Sequence, residues 1–148
     1  VIKASFNCCF VGAGSLFTTL SESIKDDARF SFTGLIPRNK VQDKLCEADV
    51  FISASTVEGM PVAAIEAAAS GCYLLLSNIP PHVEIANKIP YCQIFNSEKE
   101  LGIKIQELLV SSDTYFENVY YKNRAAFSEF FSIEIMLKSY QSTYKSMK

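Results

Sequence analysis

Residues Ser53 to Gly71, Ser-Ala-Ser-Thr-Val-Glu-Gly-Met-Pro-Val-Ala-Ala-Ile-Glu-Ala-Ala-Ala-Ser-Gly, decide how the rest of the chain is read. An apolar, partly β-branched run (Val50, Phe51, Ile52) enters this stretch and predicts a strand over Asp49 to Ala54. A short polar turn follows, and then an Ala-rich helix. Pro61 stands where a first helical residue would sit, and Gly71 where a C-terminal cap would sit. Free N–H groups at such a helix start, together with the positive end of the helix dipole, form an anion site. Glu58 lies in the turn before the helix and Glu66 about two turns inside it. A phosphate over the amides, with a carboxylate on either side to accept hydroxyl protons, suits a ligand that is phosphate at one end and sugar at the other.

Outward from this stretch, strands alternate with helices. Phe6 to Val11 reads as a parallel strand buried on both faces, because it is almost continuously apolar. Gly12-Ala13-Gly14-Ser15 turns it into a helix from about Leu16 to Lys25, with Leu16, Leu20 and Ile24 on one stripe. Arg29 to Leu35 is a second strand, and a helix opening at Pro37 and Asn39 runs to about Glu47. Downstream of Gly71 come a strand over Cys72 to Leu76, stopped by Pro80-Pro81, and a short helix from about His82 to Ala86. A strand over Tyr91 to Phe95 and a helix over Lys99 to Leu109 complete the alternation. This order predicts an α/β fold with a doubly wound, Rossmann-like parallel sheet, whose ligands bind at the carboxyl ends of the strands. From Thr114 onward only helices are predicted, Tyr115 to Phe130 and Ile133 to about Met147. The second carries an apolar seam (Ile133, Leu137, Tyr140, Tyr144, Met147) that must cover something, either its own domain or another. The whole of 1–148 is expected to be a single domain, with 1–110 the α/β core and 111–148 the C-terminal helices.

Composition narrows the function. The chain has 49% hydrophobic and 20% charged residues and a net charge of -2, which gives no electrostatic case for binding nucleic acid. No apolar run approaches the length needed to span a bilayer. Five cysteines without a C-x-x-C, and one histidine, argue for reduced core thiols rather than a metal site. Gly12-x-Gly14 invites a dinucleotide-binding reading. The full fingerprint needs a third glycine where Phe17 stands, however, and no acidic residue ends the next strand. His82 reads as a capping or surface residue.

The segment Glu58-Gly59-Met60-Pro61-Val62-Ala63-Ala64-Ile65-Glu66 resembles the E-x7-E signature of the retaining GT-B glycosyltransferases of family 4. Three flanking segments strengthen the likeness: Gly34-Leu35-Ile36-Pro37, Ala48-Asp49-Val50-Phe51-Ile52, and Ser77-Asn78-Ile79-Pro80-Pro81-His82-Val83-Glu84-Ile85. It covers Phe6 to Ile85 closely and the remainder loosely. The resemblance implies that the chain is the C-terminal, donor-binding part of such an enzyme. That enzyme transfers a sugar from a UDP- or GDP-sugar to a hydroxyl acceptor with retention and without a metal. By the same resemblance Glu58 faces the transferred sugar and steadies charge at the anomeric carbon. Glu66 accepts from the ribose hydroxyls, and the backbone of Gly59, Met60, Pro61 and Val62 meets the sugar and distal phosphate. Leu35 and Ile36 contact the base, while Gly12 and Gly14 let the backbone pass close to the nucleotide.

Each role has a plainer alternative: Glu66 as a surface glutamate in a good helix former, and Glu58 as a favourable charge near a helix N-terminus. Against the first, Glu66 stands in an otherwise apolar run, Val62 to Ala69. Pro61 has no N–H, which leaves Met60, Val62 and Ala63 as donors. One departure is plain. The family holds the donor diphosphate with an Arg and a Lys from a first strand-turn-helix. That segment would precede Val1, residues 1 to 4 resemble the tail of its helix, and Lys3 lies too near the first strand to be that lysine. The chain is therefore expected to lack its first strand, its main phosphate cations and an N-terminal acceptor domain. The implied setting is cytoplasmic, at the inner face of a membrane bearing a glycan acceptor. Two rival functions share the fold: a nucleotide-sugar epimerase and a non-catalytic nucleotide-sugar-binding module.

Overall fold

The computed structural model describes residues 6–146 of the 148-residue chain. The expected helix tail at residues 1–4, with Lys3, and the end of the seam at Met147 lie outside the described residues. The elements in order are β1 (Cys8–Phe10), α1 (Phe17–Ser23), β2 (Phe30–Phe32), α2 (Arg38–Glu47), β3 (Val50–Ser53) and α3 (Val62–Ser70). After them come β4 (Tyr73–Ser77), α4 (Pro80–Ala86), β5 (Cys92–Phe95), α5 (Glu98–Leu108), α6 (Asp113–Phe130) and α7 (Ile133–Ser146). All strand pairs are parallel, in two ladders: β1 with β2, and β3-β4-β5 with β4 central. This is the predicted α/β fold.

β4 explains why helices flank the second ladder on both faces. Successive strand residues point to opposite faces. Leu74 and Leu76 pack with Ala64, Ala67 and Ala68 of α3 and Ile85 of α4, while Tyr73 and Leu75 pack with Phe95, Leu108 of α5 and Val119 of α6. The alanines of α3 serve close packing, since a small side chain lets the helix approach the sheet. α6 reaches both cores, with Val119 in one and Ala126 in the other. Between them Asn123, fully buried, holds the residues that precede β4 and β5. Its Nδ2 donates to the Cys72 carbonyl at 2.7 Å and the Tyr91 carbonyl at 3.1 Å, and its Oδ1 accepts from the Tyr91 N–H at 3.0 Å. α6 thus closes the amino-terminal edge of the sheet and leaves the carboxyl edge free.

Gly71 ends α3 in the left-handed conformation, φ 93°, and the Cys72 N–H returns to the Ala67 carbonyl at 3.0 Å. A Cβ there would fall 2.4 Å from Cδ2 of Tyr120, so the glycine serves both the turn and the approach of α6.

Two expectations are corrected. β1 is not buried on both faces: Phe10 is 38% and Val11 41% exposed, and every buried apolar side chain among the described residues lies at Pro61 or beyond. A fully apolar strand needs neighbours on both edges and both faces, and the β1–β2 ladder has two strands. Pro80 and Pro81 do not merely stop β4; they open α4, whose first turn has no use for their missing N–H groups. The seam of α7, for which its own domain and another were both open as cover, has Ile133, Leu137, Tyr140 and Tyr144 more than half exposed, and no described α7 residue is buried.

Candidate functional site

The turns at the carboxyl ends of β1 and β2 converge. Gly12 (φ 120°) and Gly34 (φ 65°) meet in an isolated antiparallel bridge, the Gly12 N–H donating to the Gly34 carbonyl at 3.0 Å. Both conformations favour glycine, and a Cβ on Gly12, Gly14, Gly34 or Gly59 would meet nothing within 4 Å. The space over these glycines is therefore open. Beside β1 lies a cavity of about 280 Å³ lined by Phe10, Val11, Gly12, Gly14, Leu16 and Phe17 among others. Past Gly34, Leu35 is 83% exposed and Ile36 half-buried.

At the start of α3 the structure differs from expectation by one residue. Pro61 (φ -79°, ψ 70°) is the cap rather than the first helical residue, and the Val62 N–H turns back to the Met60 carbonyl at 2.9 Å. These angles are those of an inverse γ-turn. The amide of Val62 is thus already engaged. The amides of Met60 and Ala63 donate to no protein acceptor among the described residues and remain open to a ligand. Pro61 is buried, whereas the side chains of Met60 and Val62 are exposed.

Glu66 lies on the α2 side of α3, where its Oε1 accepts from Nη2 of Arg38 at 2.6 Å. Arg38 is the first residue of α2, two residues past Ile36. Hence the structure brings together Glu66 and the Gly34 to Arg38 turn, 28 residues apart in sequence. The Glu66 side chain is 28% exposed and that of Arg38 88%, so the pair faces solvent rather than the core. Glu58 is half-buried, with no hydrogen bond or ion pair to it among the described residues. Arg38 is a cation the sequence analysis did not single out. A signal was present: an arginine at the first position of a helix faces the unfavourable end of the dipole, which suggests a partner elsewhere.

His82 corrects the expectation of a surface or capping residue. It is fully buried, with Nδ1 3.0 Å from the Ser77 carbonyl and 3.1 Å from Ser77 Oγ, while Oγ itself donates to the Ser55 carbonyl at 2.5 Å.

Helices on both faces of a parallel sheet, with the carboxyl edge open above glycine turns, define the Rossmann-like class. The architecture matches the C-terminal half of the GT-B glycosyltransferase fold. Among solved structures, TarM aligns at a TM-score of 0.77 and 21% identity, over 92% of this chain and 28% of that one. Sucrose-phosphate synthase from Thermosynechococcus elongatus aligns at 0.78 and 18%, over 94% and 38%. Anabaena HepE, crystallised in complex with UDP and glucose, aligns at 0.76 and 16%, over 95% and 40%. At these identities the likeness is one of fold, and this chain spans less than half the length of each. A search of curated proteins finds no significant match. The chain belongs to the glycosyl transferases group 1 family, whose profile matches residues 1–110. No helix among the described residues is long and apolar enough to cross a membrane.

Proposed function

We propose that this chain is the donor-binding part of a retaining glycosyltransferase, one that transfers a sugar from a nucleoside diphosphate sugar to a hydroxyl acceptor. The observation that carries this reading is the ion pair that joins Glu66 to the Gly34 to Arg38 turn, on the helix whose entrance leaves the amides of Met60 and Ala63 without a protein acceptor among the described residues. The nucleotide lies across the glycine turns, with its base over Leu35 and Ile36. Its ribose hydroxyls donate to Glu66, and its diphosphate faces the start of α3.

Departure of the nucleoside diphosphate places negative charge where the helix dipole and the free amides point, an electrostatic stabilisation that requires no rearrangement. Glu58, on the other side of the same amides, accepts from the sugar hydroxyls and stabilises positive charge at the anomeric carbon. Val62 contributes its position in the turn rather than its N–H. Support for an additional strand comes from the two separate ladders and the exposed apolar residues of β1. In the complete enzyme an upstream strand joins the ladders and carries further phosphate cations, and the seam of α7 covers an acceptor-binding domain. The enzyme works on the cytoplasmic side of the membrane, without a metal.

The test is transfer by the complete enzyme with UDP- and GDP-sugars, the anomeric configuration of the product being read by NMR. Retention is expected, with loss of transfer in Glu58→Gln. An inverted product, or epimerised donor without acceptor use, refutes the reading. The 148-residue chain by itself is expected to show no transfer and to bind UDP only at millimolar concentration or weaker, because a diphosphate without cation partners loses charge-assisted bonds.

A further inference from the structure

His82 is a buried polar side chain that the proposed reaction does not use, and its bonds run toward the site. The direction of each bond follows from which groups can donate. The Ser55 carbonyl only accepts, so the Ser77 hydroxyl proton is committed to it at 2.5 Å. Ser77 Oγ is then left to accept from His82, as is the Ser77 carbonyl, at 3.1 and 3.0 Å. Both contacts therefore require the proton on Nδ1. The other ring nitrogen, Nε2, is buried and has no partner among the described residues. An orphaned buried nitrogen is unfavourable, so a ring kept here needs a compensating role on its Nδ1 side.

That side leads to the turn between β3 and α3. Ser55 lies two residues past the end of β3 and three before Glu58. The turn has little else to hold it: Ser53 Oγ reaches Ser55 Oγ at 3.3 Å, and no backbone hydrogen bond involves residues 54–59 among the described residues. His82 is anchored in α4, whose Ile85 belongs to the core, and its own N–H donates to the Ile79 carbonyl at 3.0 Å.

We infer that His82 is a positioning residue: through Ser77 it ties the main chain at Ser55 to the core and so fixes the turn that carries Glu58. The tie is independent of any ligand, and only its consequence for donor use rests on the function proposed above. A rigid turn keeps the carboxylate of Glu58 and the amide of Met60 in register before the donor arrives, so that binding need not order them.

The test is backbone 15N relaxation on the 148-residue chain, for the wild type and the variants Ser77→Ala, His82→Leu and His82→Asn. In the wild type, amides at positions 55–58 are expected near the rigid limit, with an order parameter of about 0.85. Ser77→Ala and His82→Leu should drop them below about 0.6 while β4 and β5 stay unchanged. His82→Asn should restore rigidity, because its amide nitrogen can donate from near the Nδ1 position. A turn already mobile in the wild type overturns the inference, and so does an unaltered turn in Ser77→Ala or loss of order throughout the sheet. The same samples titrated with UDP separate the two proposals. Because the chain by itself is expected to bind UDP weakly, the titration runs well past millimolar UDP. No UDP-induced shifts in the wild type even there, with the relaxation pattern intact, would count against donor binding and not against the tie. Normal shifts with an unaltered turn would do the reverse.

Discussion

Replacing Glu66 by Gln keeps the shape of the side chain and removes its charge, and the structure predicts how the loss divides between stability and ligand binding. The only protein partner of the carboxylate among the described residues is Arg38, at 2.6 Å, and the Arg38 side chain is 88% exposed. An ion pair so open to water contributes about 0–1 kcal/mol, so Glu66→Gln should lower the melting temperature by no more than about 4 °C. Under the proposed function, ligand binding should depend on the carboxylate far more. Hydrogen bonds from ribose hydroxyls to a carboxylate are charge-assisted, each worth about 1.5–3 kcal/mol, or roughly 10- to 150-fold in kcat/KM for the donor. The assay pairs thermal unfolding with donor kinetics in the complete enzyme, for Glu66→Gln, Arg38→Ala and the double variant. Arg38→Ala should cost less than roughly threefold in kcat/KM, since its guanidinium stands mostly in water and leaves the carboxylate in place. Donor kinetics unchanged in Glu66→Gln would refute the ribose role. A melting temperature lowered by roughly 10 °C would show that Glu66 serves the fold instead.

Three predictions concern the scaffold. Asn123→Ala leaves the Tyr91 N–H and the Cys72 carbonyl without their partner, and should cost about 3–5 kcal/mol in urea unfolding; under about 1 kcal/mol would deny α6 its closing role. Gly71→Ala combines a left-handed alanine with overlap on Tyr120, and a loss of about 2–4 kcal/mol is expected by the same measurement. Burial pushes the thiols of Cys72 and Cys92 up to about 12 from the ordinary 9.0. At pH 8 iodoacetamide should modify the exposed Cys9 and Cys46 and spare those two, as read by peptide mass spectrometry. The sign for stability follows: their contribution is intact below pH 9.0, and falls as pH rises toward 12, because the unfolded thiols ionise first.

How much of this was legible in the sequence depends on the distance over which each feature acts. The strand-turn-helix from Val50 to Gly71 could be read because its signals are local: a β-branched run, a proline at the helix start and a glycine at its end. The eight-residue separation of Glu58 and Glu66 belongs to the same short segment, and the alternation of elements around it predicted the parallel α/β sheet. Local signals also fail locally. Val62 was expected to offer its N–H, and the γ-turn at Pro61 consumes it. Apolarity alone made β1 a buried strand, although burial depends on neighbours that the strand's own residues do not specify.

The sequence by itself determined the order of elements, the glycine turns and the two carboxylates, because each rests on propensities acting over a few residues. Only the tertiary structure decided which groups meet. It brought Arg38 to Glu66, Asn123 to the ends of two strands, and His82 through Ser77 to Ser55. A hydrogen bond or ion pair between residues 22 to 51 positions apart leaves no periodic trace in composition. It exists because the packing of helix on sheet brings the two backbones within a few ångströms.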